Sequence, residues 1–239
     1  MKNIIKKIIL YPIRFFNRKR LFILRGRVNN HFKKLNNYHP YKSNNIFLAE
    51  GFYDTPNHYL RLKIFLLSLK FLQKRITPLG ILFNNSQSHA FETLKNLGFQ
   101  KIMFLDNVES DKKIEEMYDN FIKKIKTEKD ILSIKFISKI PSYVFYDSAL
   151  HTLKQPFLDL KLNSWKKELK KFLLIEKFYL NLFENKKIDF VVYSHPWKSY
   201  YAIPVWIAIS KNIPAFYEVF DIKPGDPLYL APEERAAIW

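Results

Sequence analysis

Cysteine is absent from the 239 residues, which excludes a disulfide scaffold, a thiolate metal site and a cysteine nucleophile. Glycine is scarce too, with 5 in the whole chain. Neither a Gly-x-Gly-x-x-Gly turn nor a Gly-x-x-x-x-Gly-Lys loop occurs, so backbone cannot cradle a pyrophosphate in either familiar way. Oxidoreductase and NTPase readings built on those loops fall. No run of about 18 uncharged apolar residues is present, so no spanning helix is expected. The N-terminus carries the short apolar stretch Ile8-Ile9-Leu10 but no clean signal-peptide core or small-residue cleavage site, which points to the cytosol. The 6 histidines show no His-x-x-x-His or His-Glu-x-x-His spacing, and there is no Gly-x-Ser-x-Gly elbow. Zinc sites and hydrolase chemistry of those types have no support.

What is plentiful is apolar and basic. Hydrophobic residues make up 48% and aromatics 17%, enough for a sizeable core and against wholesale disorder. The formal net charge is +18, from 40 Lys+Arg against 22 Asp+Glu. Twelve of the basic residues precede Glu50, the first acidic one, and five of the eight arginines fall within the first 27 positions. They alternate with Ile4, Ile5, Phe15, Phe16, Leu21, Phe22 and Ile23. Such a segment suits the membrane interface, its apolar side chains among acyl chains and its cations on anionic headgroups. Pro12 divides it into two short amphipathic pieces. A solvated basic tail, enriched in lysine by an AT-rich genome, is the plain alternative. Nucleic acid is a weaker one, because no recognised binding motif follows.

From about residue 45, strand-like and helix-like pieces alternate. Strands are expected at 45–50, 78–83, 101–105, 188–194 and 215–220, with a less marked sixth piece at 131–140, fourth in chain order. Helices are expected at 57–74, from Ser86 or Ser88 to Leu97 with Gly98 as its stop, and over 111–126, 165–184 and 200–211. In the helix from Asn57, the period Leu60, Ile64, Leu67, Phe71, Leu72 marks the buried face, with Arg61, Lys63, Lys70 and Lys74 outside. Residues 141–156 read as irregular, or as a strand and turn. Alternation at this spacing predicts a Rossmann-like, doubly wound, mainly parallel α/β sheet over 45–222. Residues 1–44 form a basic membrane-proximal extension, and 223–239 a linker or truncated end.

Ligands of such sheets bind outside the carboxyl ends of the strands, so the residues there are the candidates. After the first strand come Gly51, Asp54, His58 and Arg61. Asp54 either contacts a ligand or caps the next helix. His58 and Arg61, three apart, either hold an anionic group near a helix N-terminus or form a surface pair. Asn84 follows the second strand. Tyr146-Asp147 is either a contact pair or a turn. His195 and Lys198 follow the strongest strand, and Glu218 lies at the end of the last. His195 is the sharpest candidate, because an imidazole on this edge suits hydrogen bonding or proton transfer with a hydroxyl. Phe52, Tyr53, Tyr59, Trp197, Tyr200 and Tyr201 either stack on sugar rings or belong to the core.

The stretch Lys187-Ile-Asp-Phe-Val-Val-Tyr-Ser-His195, followed by Ala202, Ala208 and Asn212-Ile213-Pro214-Ala215-Phe216, resembles the late strand–helix–strand unit in the acceptor-side domain of GT-B glycosyltransferases. The stretches 51–61 and 140–150 are similar to members that build bacterial capsule and other surface polysaccharides. The pattern covers roughly three quarters of the chain. Where many members have a Gly-Gly pair after the first strand, this chain has only Gly51.

The resemblance implies sugar transfer from a nucleotide-sugar co-substrate, with no tightly bound cofactor, to a glycan or lipid-linked acceptor at the inner face of the cell membrane. It implies that His195 orients or polarises a transferring oxygen, that Asp54 and Arg61 hold the acceptor, and that Glu218 sits at an interdomain cleft. It also implies a second, donor-binding domain. Pro224-Gly225-Asp226-Pro227 suits the start of a linker to it, so a truncated product, a fragment or a second chain supplying that domain is expected. Two alternatives stay open: a teichoic-acid-type polyol-phosphate transferase, and a non-catalytic binding or scaffold domain.

Overall fold

The computed structural model describes residues 44–52, 56–71, 74–84, 86–194 and 199–217. The basic extension up to residue 43, the linker at 223–239, and Asp54, His195, Lys198 and Glu218 lie outside the described residues.

Five strands form one sheet: β1 (Asn45–Glu50), β2 (Thr77–Leu82), β3 (Lys101–Phe104), β4 (Lys187–Tyr193) and β5 (Ala215–Tyr217). Their order is β3-β2-β1-β4-β5, and every neighbouring pair is parallel. Seven helices are found among the described residues: α1 (Pro56–Phe71), α2 (Ser88–Leu97), α3 (Lys112–Lys124), α4 (Glu128–Leu132), α5 (Ser142–Leu153), α6 (Ser164–Asn185) and α7 (Ser199–Ser210). This α/β architecture is consistent with a Rossmann-like fold.

The central strands β2, β1 and β4 are buried on both faces, and their alternating side chains feed two cores, while the edge strands β3 and β5 are partly exposed. Phe47, Ala49, Leu82, Phe190 and Val192 face α1 and α2. Ile46, Leu48, Ile81, Val191 and Tyr193 face the layer holding α5, α6 and α7. A register shift between β1 and β4 keeps this sorting intact. Ile46 pairs with Ile188 but Phe47 pairs with Phe190, so Asp189 is an extra residue. Without that bulge Ile188 and Phe190 would point the same way; with it they serve opposite cores.

Local signals set several element ends. Gly98 takes φ 101° and its N–H reaches the Leu94 and Lys95 carbonyls, closing α2 where the sequence placed its stop. Asp111 caps α3 by accepting from the Ile114 N–H at 3.0 Å. Lys177 and Lys170 of α6 reach Asp111 and Glu115 at 2.8 and 2.7 Å, and these partners hold both carboxyls below their ordinary range.

Three expectations are corrected. Residues 131–140 contain no strand: α4 ends at Leu132, and the rest is an irregular segment laid on α6. Ile134, Phe136 and Ile140 are buried there at alternate positions, which imitates a strand. Its backbone is satisfied by a side chain instead of a sheet edge: Ser138 N–H and Oγ–H donate to Glu176 Oε1 at 2.7 and 2.6 Å. Residues 142–153 are the regular helix α5, so Tyr146-Asp147 is helical and no turn. The buried face of α1 is Tyr59, Leu62, Leu66 and Leu69, with Lys63 buried as well, while Leu60, Ile64, Leu67 and Phe71 are exposed. The sequence has two apolar stripes on this helix, and the sheet takes the other one.

Candidate functional site

Moving out from β1, the chain goes one way to β2 and β3, then returns past β1 to β4 and β5. The switch point therefore lies between β1 and β4, the place where open parallel sheets form a crevice beyond their carboxyl ends. Ala49 pairs with Val192, so Glu50-Gly51-Phe52 and Tyr193-Ser194 leave the sheet side by side. Both strands end in polar residues that are fully buried, Glu50 and Ser194.

Glu50 is the centre of a compact network. One carboxylate oxygen, Oε2, accepts from the Phe52 N–H two residues on, which curls the chain as it leaves β1. Its backbone carbonyl accepts from His58 Nε2 at 2.8 Å, and the same ring nitrogen lies 3.6 Å from Glu50 Oε1. A carbonyl can only accept, so Nε2 carries the proton. His58 is buried in the first turns of α1, and this bond ties that helix to the end of β1.

On the other side of Glu50 lie two buried phenols. Tyr179 of α6 and Tyr193 of β4 meet hydroxyl to hydroxyl at 2.9 Å. Burial pushes both pKa values up, and the Glu50 carboxylate adds to this by disfavouring a second negative charge. Both phenols therefore stay protonated. Tyr179 Oη–H also reaches the Tyr200 carbonyl at 3.5 Å. That carbonyl would ordinarily accept from the N–H four residues on, but position 204 of α7 is proline and has none. The interior proline thus leaves a backbone acceptor for a side chain from α6.

Above this network sits a partly exposed aromatic floor. The Phe52 ring meets Tyr200 and Tyr201 edge-on, each with centroids 5.4 Å apart, and Phe83 at 5.9 Å. Phe83 meets Tyr200 at 5.1 Å, and Lys171 Nζ lies 4.6 Å from the Phe83 centroid. Phe52, Phe83 and Tyr200 are half-buried, so they offer ring surface to a ligand as well as to one another. Burial raises the Tyr200 phenol too, with Glu50 and Glu168 contributing.

The sequence candidates distribute unevenly about this crevice. Gly51 is at its base, and its N–H continues the β1–β2 pairing through the Ile81 carbonyl at 2.9 Å. A Cβ there would come within 2.6 Å of Leu82 Cδ2 and 2.9 Å of Leu94 Cδ1, both in the core. Its small size serves helix–strand packing. His58 is buried whereas Arg61 is exposed, so the two do not form a surface pair. Asn84 follows β2 and builds its own turn, accepting from the Ser86 N–H at 3.1 Å and the Ser86 hydroxyl at 2.5 Å. Asp147 is exposed on α5 in the helical layer. Asp54, His195, Lys198 and Glu218 lie outside the described residues, although Ser194 places the chain at the crevice one residue before His195.

Sequence reasoning passed over Tyr179, which it placed only within the helix expected over 165–184, and Phe83, which it used only as the end of a strand. Two signals pointed their way: a carboxylate directly after the apolar run Ile46–Ala49, and Pro204 inside a helix. Among the described residues no three His, Asp or Glu side chains gather as a metal site, and no helix is long and apolar enough to cross a membrane. Comparisons with protein families, curated proteins and solved structures gave no match.

Proposed function

We propose that this chain is the acceptor-side half of a GT-B-type glycosyltransferase, which passes a sugar from a nucleotide-sugar to a hydroxyl of a glycan or lipid-linked acceptor at the inner membrane face. The observation that carries the reading is the aromatic floor of Phe52, Phe83 and Tyr200 at the switch-point crevice. Sugar rings present patches of C–H that pack on aromatic faces, and their hydroxyls need polar groups at the rim. Glu50 and His58 act beneath that floor as positioning residues, fixing where Phe52 leaves the sheet.

In the proposed reaction the acceptor oxygen bonds to the anomeric carbon, the bond from that carbon to the diphosphate breaks, and the nucleoside diphosphate leaves with the electron pair. The acceptor hydroxyl's proton passes to a base, the role proposed for His195. Asp54, Arg61 and Lys198 bind acceptor groups, and Glu218 faces the donor-binding domain. The basic residues before position 45 hold the enzyme near a lipid-linked acceptor, which raises its local concentration.

Saturation-transfer NMR of the full chain against a panel of hexoses, amino sugars and disaccharides tests the site directly. Ring-proton transfer to at least one sugar is expected, with severalfold loss in Phe52→Leu and Tyr200→Leu, which keep apolar bulk at the packed rings, in samples shown by circular dichroism to remain folded. Binding that is absent, or indifferent to both substitutions, overturns the assignment. With membrane lipid extract and the donor half supplied, released nucleoside diphosphate supports sugar transfer, whereas released CMP identifies a polyol-phosphate transferase.

A further inference from the structure

Helix α1 packs on the sheet through Tyr59, Leu62, Leu66 and Leu69, yet its opposite side is also apolar. Leu60, Ile64, Leu67 and Phe71 follow one another at helical spacing and are 50, 55, 47 and 87% exposed. Ile64, Leu67, Ser68 and Phe71 line a shallow groove. The one hydroxyl in it is spent, because Ser68 Oγ donates to the Ile64 carbonyl at 3.0 Å. Phe216 on edge strand β5 is 45% exposed and touches Phe65 of the same helix, with centroids 5.4 Å apart, which widens the apolar ground. A contiguous apolar face of this kind calls for a partner.

The charge around it selects which. Helix α1 contains no Asp or Glu. Arg61 is exposed beside the stripe, and Lys74 and Arg75 are exposed just past its end. Because α1 returns the chain from the carboxyl to the amino edge of the sheet, Phe71 lies at the amino edge, where Ile46 pairs with Thr77. Lys186, Lys187 and Lys211 are exposed at this edge, against the acidic Glu184 and Asp189. Residues 1–44, with 12 cations and no acid, join the sheet here at Asn45.

We infer that the outer face of α1, together with the basic amino edge of the sheet, is a docking surface for an anionic lipid bilayer. Leu60, Ile64, Leu67 and Phe71 enter the acyl boundary, and the cations flanking them meet the headgroups. A helix lying flat in the interface sets the strands along the membrane plane. The crevice at their carboxyl end then opens along the bilayer surface and not away from it. The inference shares the membrane placement of the proposed function and, apart from Arg61, uses different residues from the sugar site; its test therefore turns on Leu67 and Phe71 and leaves Arg61 in place.

The cysteine-free chain makes the test clean. Leu67→Cys and Phe71→Cys, made one at a time in the full chain and labelled with the environment-sensitive dye NBD, are mixed with phosphatidylcholine vesicles with or without phosphatidylglycerol. Lys113→Cys on α3, under the other sheet face, is the control. A blue shift and severalfold brightening at 67 and 71 with the anionic vesicles only, and none at 113, is the expected result. In sedimentation, Leu67→Glu and Phe71→Glu then bind those vesicles severalfold more weakly than the parent at unchanged melting temperature.

Labels that stay aqueous while the protein sediments with vesicles, equal response to neutral vesicles, or no vesicle binding overturn the inference. So does a shift without lipid, which marks a second copy where it grows with concentration and the chain's own basic segment where it does not. Neither donor nor acceptor sugar is needed. Failure of sugar binding with labels still entering lipid counts against the transferase alone, and the converse counts against the membrane face alone.

Discussion

Glu176 shows what a single buried carboxylate does here. It is 1% exposed on α6, and burial pushes its pKa up despite the Ser138 donors that favour the charged form. The folded protein therefore holds that proton to higher pH than the unfolded chain does. Across the interval between the ordinary glutamate pKa and the raised one, stability falls as pH rises. Both Ser138 donors go to Oε1, which glutamine retains. In Glu176→Gln, urea unfolding across this interval is expected to lose that downward slope. Glu176→Ala, which strands the Ser138 N–H, is expected to cost about 1–3 kcal/mol. Asp111 and Glu115, held down by their lysines, act in the opposite sense and lose stability as pH falls, so the difference between parent and Gln variant isolates Glu176. Gly51→Ala is expected to cost about 1–3 kcal/mol by overpacking against Leu82 and Leu94, read as a lower urea midpoint at unchanged slope. The sequence marked Gly51 as significant through its scarcity and place. That its space is taken by core leucines came from the packing of α2, which lies some forty residues further along the chain.

At the scale of elements, the strands and most helices were legible because each carries its own period or stop. Where the reading failed, two interpretations of one stretch were locally equal. Residues 134–140 alternate as a strand does, yet a glutamate on α6 supplies what a sheet edge would. Helix α1 carries two apolar stripes, and periodicity alone cannot choose between them. The link between α6 and α7 is testable in the same terms. Tyr179→Phe leaves the Tyr193 hydroxyl and the Tyr200 carbonyl short of a partner in a buried place, at a cost of about 1–3 kcal/mol. In a Pro204→Ala background, the new N–H can serve the Tyr200 carbonyl from within the helix. A double-mutant cycle by urea unfolding is expected to give a smaller Tyr179→Phe cost in that background. Equal costs in both would separate the tyrosine from the proline.

For the whole molecule, strand order decides where function can reside. Among the described residues, five parallel strands in the order β3-β2-β1-β4-β5 reverse direction of growth between β1 and β4, and the polar residues closing both strands meet there. The sequence by itself determined the class of fold: its alternation of short apolar runs with helical periods leaves a covered parallel sheet as the economical way to bury both faces of the strands. It also determined the concentration of cations before residue 45 and the polar set that follows each strand. Only the tertiary structure decided which of those polar residues share a crevice, that Tyr179 and Phe83 belong with them, and which apolar stripe of α1 faces solvent. The physical reason is the same in each case. Periodicity is a property of neighbouring residues, whereas a hydrogen bond between α6 and β4, or the choice of a helix face, depends on surfaces that meet only once the chain has folded.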